Sequence, residues 1–582
     1  MGLPACRRVG KALLWAASHG AMLRGRRDME ITPASLMQRA MLSLLILAAI
    51  ALLVFGWQPA PYITLYLFKK QDLFAAALLL GFWIALRPAL PRLAQREFAT
   101  ALPLIASRRV IVWAAGAVLV IGVAGSFLVL QSYPLSMDEF WARADGVIFA
   151  TGHPMARIPS EWQPFAPALQ PIFLRLLPHA GFWASDYLPV NALIQLAFGQ
   201  FASPLLAAVS TLLVASLAGT LMPERRGAPL VCVLFFACSS QLLVTAMSPY
   251  AMSAHLAFNL AWLWLFLRRN PAAQAGAIVV GFLATGLHQF AFFPLFALPF
   301  VGERFLSGSR KWAVIHAVAV IAGVLVWSDY GAIAARMVGA SLAAGGVGTG
   351  HVLGNAIDRI LNFSHSGFGL MAFNLLRFQL WQNPLAVPLV LGSAWPLLRT
   401  SGPMRALLGG IVLTGAFVFV VMPYQGHGWG YRYLHGLLGN LCLLATYGWY
   451  RIADHEKGEW RVLFGAMLAF SVVVLLPLRA FQVWQQAAPY AAANRALEHV
   501  DADIVVIDAP NHAFTQDLVR NSPLLDNRPK RMLGLALDDG QLAQLCKRYR
   551  VKFFTDGDAA RYGIPEWGSE AEKRSHAAGC AN

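Results

Sequence analysis

Asp138 and Glu139 stand side by side just beyond a long apolar run, in the stretch QSYPLSMDEFWARADGVIFATGHPMARIPSEWQPFAPALQPIF (131–173). Carboxylates in such a position can take a proton from a hydroxyl or hold a cation. One isolated at mid-bilayer costs about 2.5–3.5 kcal/mol, so the pair is expected at a membrane edge or in a wet cavity. On a helix, Asp138, Ala142 and Asp145 share one face, and Glu139 and Arg143 share a neighbouring one as an acid-then-base pair. The same residues also fit an inert helix start, where acids are favoured near the N-terminus.

Three further stretches carry candidate chemistry. PYQGHGWGYRYLHG (423–436) places Arg432 and Tyr433 just before a predicted helix, and arginine suits forked binding of phosphate. An arginine snorkelling within an aromatic belt is the plain alternative. LHQF (287–290) and SPYAMSAH (248–255) bring His288 and His255, which fit either a polar head group or helix packing. GHPMARIPSEWQPFAPALQP (152–171) is dense in proline and aromatics and contains His153; its composition predicts short amphipathic helices along the membrane interface.

The elements that position these residues are membrane helices. The 582 residues are 58% hydrophobic and 13% charged, outside the range of soluble chains. The mean hydropathy is +0.55. The net charge of +17 comes from Lys and Arg in short connections between apolar runs, a topological signal rather than one for nucleic acid. Thirteen spans are expected: 40–56, 73–86, 110–130, 198–221, 230–247, 251–267, a hairpin within 272–301, 312–328, 384–398, 406–422, 434–450 and 462–477. The basic connections put the N-terminus in the cytoplasm and Asp138, His288 and Arg432 outside. Residues 329–382 read as a long outer loop with glycine-rich GGVGTG at 345–350.

The organisation expected is a polytopic α-helical membrane protein with a small C-terminal α/β domain. Residues 1–39 form a basic cytoplasmic N-terminus, 40–104 two extra spans with a cytoplasmic loop, 105–480 the membrane core with its outer loop 131–197, and 481–582 a soluble domain outside. In that domain DADIVVIDAP (501–510) and VKFFTDGD (551–558) read as strands and QLAQLCKRYR (541–550) as the helix between them, with no nucleotide-binding glycine fingerprint. Cys546 and Cys580 both fall there and can pair in an oxidising compartment; Cys232, Cys238 and Cys442 read as core residues. No cysteine or histidine cluster has zinc spacing.

A basic N-terminus, a span, DE at the head of the first large outer loop, WQPFAPALQPIF after it, a membrane hairpin and a late HGWGYRYL turn together resemble the C-type (GT-C) glycosyltransferase superfamily. These integral-membrane enzymes use polyprenyl-phosphate sugars, as in protein O-mannosyltransferases and aminoarabinose transferases. The resemblance covers about 105–480. It implies that Asp138 is the general base, Glu139 its acidic neighbour and Arg432 the contact to donor phosphate, with Tyr433, Arg143, His153 and His288 in support. It further implies a bacterial inner membrane location, a polyprenyl-phosphate sugar donor, and a glycan, lipid or protein acceptor outside the cytoplasm. No cofactor is required, although Asp138, Glu139 and His153 could hold a divalent metal. The competing reading is a transporter or flippase of a lipid-linked or anionic substrate, which expects charges deep within several spans and matching halves.

Overall fold

The computed structural model describes residues 31–58, 60–95, 107–177, 179–340, 365–399, 402–453, 458–566 and Cys580. The basic segment before residue 31 and the GGVGTG stretch lie outside the described residues. Among those described, every expected span has a helical counterpart. Seven helices are long and apolar enough to cross a membrane: Pro33–Phe55, Tyr62–Ala94, Arg108–Leu128, Val190–Leu221, Arg310–Ser328, Pro403–Val421 and Gly458–Glu498. Shorter ones fill the gaps between them: Ala228–Ala237, Met252–Phe266, Pro271–Thr285, Phe292–Leu306, Ala386–Arg399 and Leu438–Ile452.

Local chemistry sets several of the starts. Thr32 caps the first helix with Pro33 at its first position, and the Asn270 side chain accepts the Ala273 N–H at 2.7 Å ahead of Pro271. The expected hairpin is Pro271–Thr285 and Phe292–Leu306, with His288 in its turn. The two ends of the bundle differ in chemistry. At one end the basic connections meet: Arg304 donates to Gln274 at 2.5 Å, Arg405 pairs with Glu303, and Arg225 lies over Tyr450. At the other end Asp138, His288 and Arg432 gather.

Three expectations need correction. The second span is not 73–86 but one continuous helix from Tyr62 to Ala94. Residues 329–382 are not simply a loop, because Ser366–Trp381 is a helix packed along Pro33–Phe55. Nor do all charges stay in connections. Asp72 lies between Arg377, at 2.8 Å, and Arg479, at 3.4 Å, with all three side chains at most 2% exposed. This cluster ties the Tyr62–Ala94, Ser366–Trp381 and Gly458–Glu498 helices together where the apolar part of the last one ends.

Above that level the molecule has a second layer. Strands β1 (Ala156–Arg157), β2 (Leu174–Leu177) and β3 (Phe182–Ser185) form an antiparallel sheet in the order β1-β3-β2. Strands β4 (Ile504–Asp508), β5 (Lys530–Leu533) and β6 (Val551–Thr555) form a parallel sheet in the order β5-β4-β6, with helix Asp539–Arg548 between β5 and β6. The 152–171 stretch packs against this C-terminal module. Trp162 stacks on Tyr549 at 5.2 Å, Trp183 donates to Pro523 O at 2.8 Å, and Trp141, Phe165 and Leu169 share a core with Val506, Met532 and Leu545. Cys546 and Cys580 are joined in a disulfide, with Cα atoms 5.6 Å apart.

Two outcomes follow from this packing. Asp72→Ala strips the shared counter-ion from two buried guanidiniums and is expected to cost about 3–5 kcal/mol, seen as a large fall in melting temperature of the purified protein. Cys546→Ser is expected to weaken the C-terminal module by about 2–4 kcal/mol, seen as faster cleavage of that module in limited proteolysis.

Candidate functional site

The helix Met137–Ala150 positions the first half of the site. After the Arg108–Leu128 helix the chain reverses through Gln131 and Ser132, both in the left-handed region at φ 53° and 56°. Ser136 then starts the new helix in a capping box: its hydroxyl accepts the Glu139 N–H at 3.4 Å, and Glu139 Oε2 accepts the Ser136 N–H at 2.8 Å. This fixes Asp138 at the second helical position. Two turns on, Asp145 Oδ1 accepts the Ser185 N–H at 3.3 Å and Oδ2 accepts the Ser185 hydroxyl, which anchors the helix to β3.

The second half arrives 294 residues later. The loop before residue 432 is held by Gln425, whose Oε1 accepts the Arg432 N–H at 3.2 Å and whose Nε2 donates to Gly430 O at 3.1 Å. Gln241 adds a 2.8 Å donation to Tyr431 O. A Cβ on Gly428 would come within 2.8 Å of the Arg432 side chain, so only glycine lets that side chain lie along the loop. Arg432 Nη1 is thereby delivered to Asp138 Oδ2 in an ion pair whose side chains are 12% and 8% exposed. Tyr187 donates its hydroxyl to Asp138 Oδ1, and its ring stacks on His288 at 4.2 Å. Tyr250 and Tyr433 flank the guanidinium at 5.6 and 5.2 Å, and the Tyr250 hydroxyl lies 2.8 Å from Ser136 Oγ. Beside Arg432 is a cavity of about 20 Å³, also lined by His255 and Asn259. Arg432 Nε has no hydrogen-bond partner among the described residues.

The electrostatics follow from burial and these partners. Burial works to raise the Asp138 pKa, but Arg432, His288 and the Tyr187 hydroxyl outweigh it and hold the carboxyl below its usual range. Burial works to lower that of Arg432, and Asp138 outweighs it, so the guanidinium is held more firmly charged. His288 is pushed down to about 4 by burial and is neutral at pH 7. Burial pushes Glu139 up to about 7, against the bonds from Ser136 and the nearby Arg520.

Asp138, Arg432, Tyr433 and His288 therefore come together at one end of the bundle. Glu139 adjoins them, but its oxygens face Ser136, with Oε1 unpartnered among the described residues. Arg143 and His153 do not join. Arg143 donates to Ser132 O at 3.4 Å and not to Glu139, on the far side of the helix from Asp138. His153 is exposed and follows the turn after Ala150, where the same helix ends ~18 Å along its axis from Asp138. Asp138, Glu139 and His153 thus do not converge as a metal set. Sequence reasoning missed Tyr187, Tyr250 and Gln425. Tyr250 and Gln425 carried a signal, through SPYAMSAH and PYQGHGWGYRYLHG; Tyr187 carried none.

No family model matches the chain, and no curated protein matches it. Among solved structures, it is similar to the crystal structure of ArnT from Cupriavidus metallidurans bound to undecaprenyl phosphate, with a TM-score of 0.45 and 11% identity, covering 73% of this chain and 86% of that one. The crystal structure of ArnT from the same organism in the apo state gives a TM-score of 0.43 and 12% identity, covering 73% of this chain and 84% of that one.

Glu139 yields a pH prediction. Its folded pKa lies above the unfolded value, so the folded state binds more protons between roughly pH 4.5 and 7, and stability falls as pH rises through that window. Glu139→Gln keeps a capping acceptor without the charge. It is expected to match the wild type in melting temperature at pH 5 and exceed it at pH 8, where the gain in folding free energy is of order 3 kcal/mol at most.

Proposed function

We propose that the chain is an integral-membrane glycosyltransferase that moves a sugar from a polyprenyl-phosphate donor to a hydroxyl on an acceptor outside the cytoplasm. The observation that carries this reading is the Asp138–Arg432 pair, which sets a carboxylate and a forked cation against each other at the end of the bundle away from the basic connections. The order of motifs along the chain supports it. So does the distribution of Lys and Arg, which by the positive-inside rule favours the extracytoplasmic side for that end.

The chemistry needs both groups but not both at once on each other. A donor phosphate that approaches Arg432 finds an unused N–H at Nε and competes with Asp138 for Nη1. Once the guanidinium turns to the phosphate, Asp138 loses the interaction that held its pKa down and remains buried, so it becomes a stronger base. It then takes the acceptor hydroxyl proton as that oxygen attacks the anomeric carbon, and the bond from that carbon to the phosphate oxygen breaks with inversion. The electron pair leaves with polyprenyl phosphate, whose charge Arg432 steadies. Tyr187 keeps the carboxylate aimed throughout, and neutral His288 orients the Tyr187 ring without adding charge. The sugar is already activated by its phosphate, so these steps require no metal.

The transport reading draws on one observation, the buried Asp72–Arg377–Arg479 cluster. That cluster is paired within helix packing, its three side chains at most 2% exposed.

Reconstituted protein given a polyprenyl-phosphate sugar and envelope acceptors tests the proposal. Asp138→Asn is expected to lower turnover about 10²–10⁴-fold. Arg432→Lys, which keeps charge but loses the fork, is expected to retain more activity than Arg432→Ala. Full transfer by both Asp138→Asn and Arg432→Ala would overturn it.

A further inference from the structure

On the opposite side of the same helix from Asp138 lies a cavity of about 480 Å³. Phe140, Arg143, Ala144 and Val147 of helix Met137–Ala150 form one wall. Their spacing of three, four and seven residues makes them one stripe, roughly half a turn away from the stripe of Asp138, Ala142 and Asp145. The end of helix Gly458–Glu498 supplies Arg495 and Glu498, and the C-terminal module supplies Arg520 and Arg531.

The charge of this cavity is lopsided, with four arginines lining it against the single carboxylate of Glu498. The arginines are also held in a way that leaves their charge unmatched. Arg520 donates to the backbone oxygens of Asp517 at 2.7 Å and Leu135 at 3.0 Å. Arg531 donates to Asn494 Oδ1 at 2.6 Å and Leu518 O at 3.2 Å, with Glu498 at 4.0 Å and half-exposed. Carbonyls and amides satisfy N–H groups but do not neutralise a guanidinium. The two carboxyls behind the wall, Glu139 and Asp517, are both pushed up to about 7 by burial and offset that charge incompletely at neutral pH. Tyr133 completes the lining. Its ring lies 4.0 Å from the Arg520 guanidinium carbon, and its hydroxyl is buried without a hydrogen-bond partner among the described residues.

We propose that this cavity is a second ligand site, built to take a sugar-sized group bearing a phosphate or carboxylate oxyanion. The guanidiniums meet the oxyanion, and Phe140 with the small exposed part of Tyr133 gives apolar surface to a sugar ring. The volume falls within the range of small-molecule pockets. The position favours a water-borne head group: Ala491 on the cavity wall lies ~18 Å further along its helix than Arg479, where the apolar stretch ends. This inference stands whether or not the chain transfers sugars.

Isothermal titration calorimetry on the full chain in neutral phosphatidylcholine nanodiscs tests it, with glucose 1-phosphate as probe and glucose as the neutral control. Saturable binding of glucose 1-phosphate alone is expected, weakened at least tenfold in R143Q/R495Q and retained in R432A. If R143Q/R495Q does not fold, the exposed Arg495→Gln alone carries the comparison, with a several-fold loss expected. Nanodiscs containing phosphatidylglycerol separate the sources. Competition by that lipid, sensitive to the same substitutions, assigns the site to a lipid head group and still supports the oxyanion. The proposal falls if neither probe binds, if binding is unchanged in R143Q/R495Q or, where that variant does not fold, in Arg495→Gln, or if R432A alone abolishes it.

Discussion

The pairing of Asp138 with Arg432 joins two parts of the chain that neither secondary structure nor sequence proximity would hold together, and it does so away from water. Withdrawing a carboxylate and a guanidinium from solvent is unfavourable unless geometry and further hydrogen bonds compensate. Much of the surrounding structure does this. The capping box fixes where the carboxylate emerges, Gln425 and Gly428 fix the path of the guanidinium, and Tyr187 occupies the second carboxylate oxygen. Several buried polar atoms around the pair stay unsatisfied among the described residues, Arg432 Nε and Glu139 Oε1 among them.

The C-terminal module closes this arrangement from above and does not hang beside it. Phe514 meets the His427 ring at 4.1 Å, and Asp517 lies 3.9 Å from His427 Nε2, so the module rests on the loop that carries Arg432. Arg520 reaches back to Leu135, next to the residue that caps the Asp138 helix. One small domain thus braces both halves of the ion pair, and the proline- and aromatic-rich segment is the surface on which it sits.

Asp138 and Arg432 were legible in the sequence because each is a charge set at the end of an apolar run, where hydropathy and charge together give a position and a side. Tyr187 and Tyr250 were not, because a tyrosine between apolar residues looks the same in an aromatic belt as beside a carboxylate. The protein partner of the 152–171 segment was hidden for a related reason. Proline and tryptophan mark rigid apolar surface, but whether lipid or protein covers it depended on residues 506–549, far down the chain. Strand β5 was hidden because KRML offers few apolar residues, and Arg531 is buried only through Asn494 and Leu518. The helix Ser366–Trp381 was hidden because Asn374, Arg377 and Gln379 interrupt its apolar pattern, and their partners are Pro423, Asp72 and Ser43.

The helix from Gly458 to Glu498 runs unbroken for 41 residues, about 60 Å, from the basic end of the bundle into the C-terminal module. No flexible linker intervenes, so the module's height and azimuth over the bundle are counted out in residues, like marks on a ruler. Each residue between Arg479 and Glu498 sets ~1.5 Å of elevation and ~100° of rotation. The length of this segment is therefore as much a part of the architecture as any side chain on it: one residue more or fewer would swing Trp183 away from Pro523 and the module off the Arg432 loop.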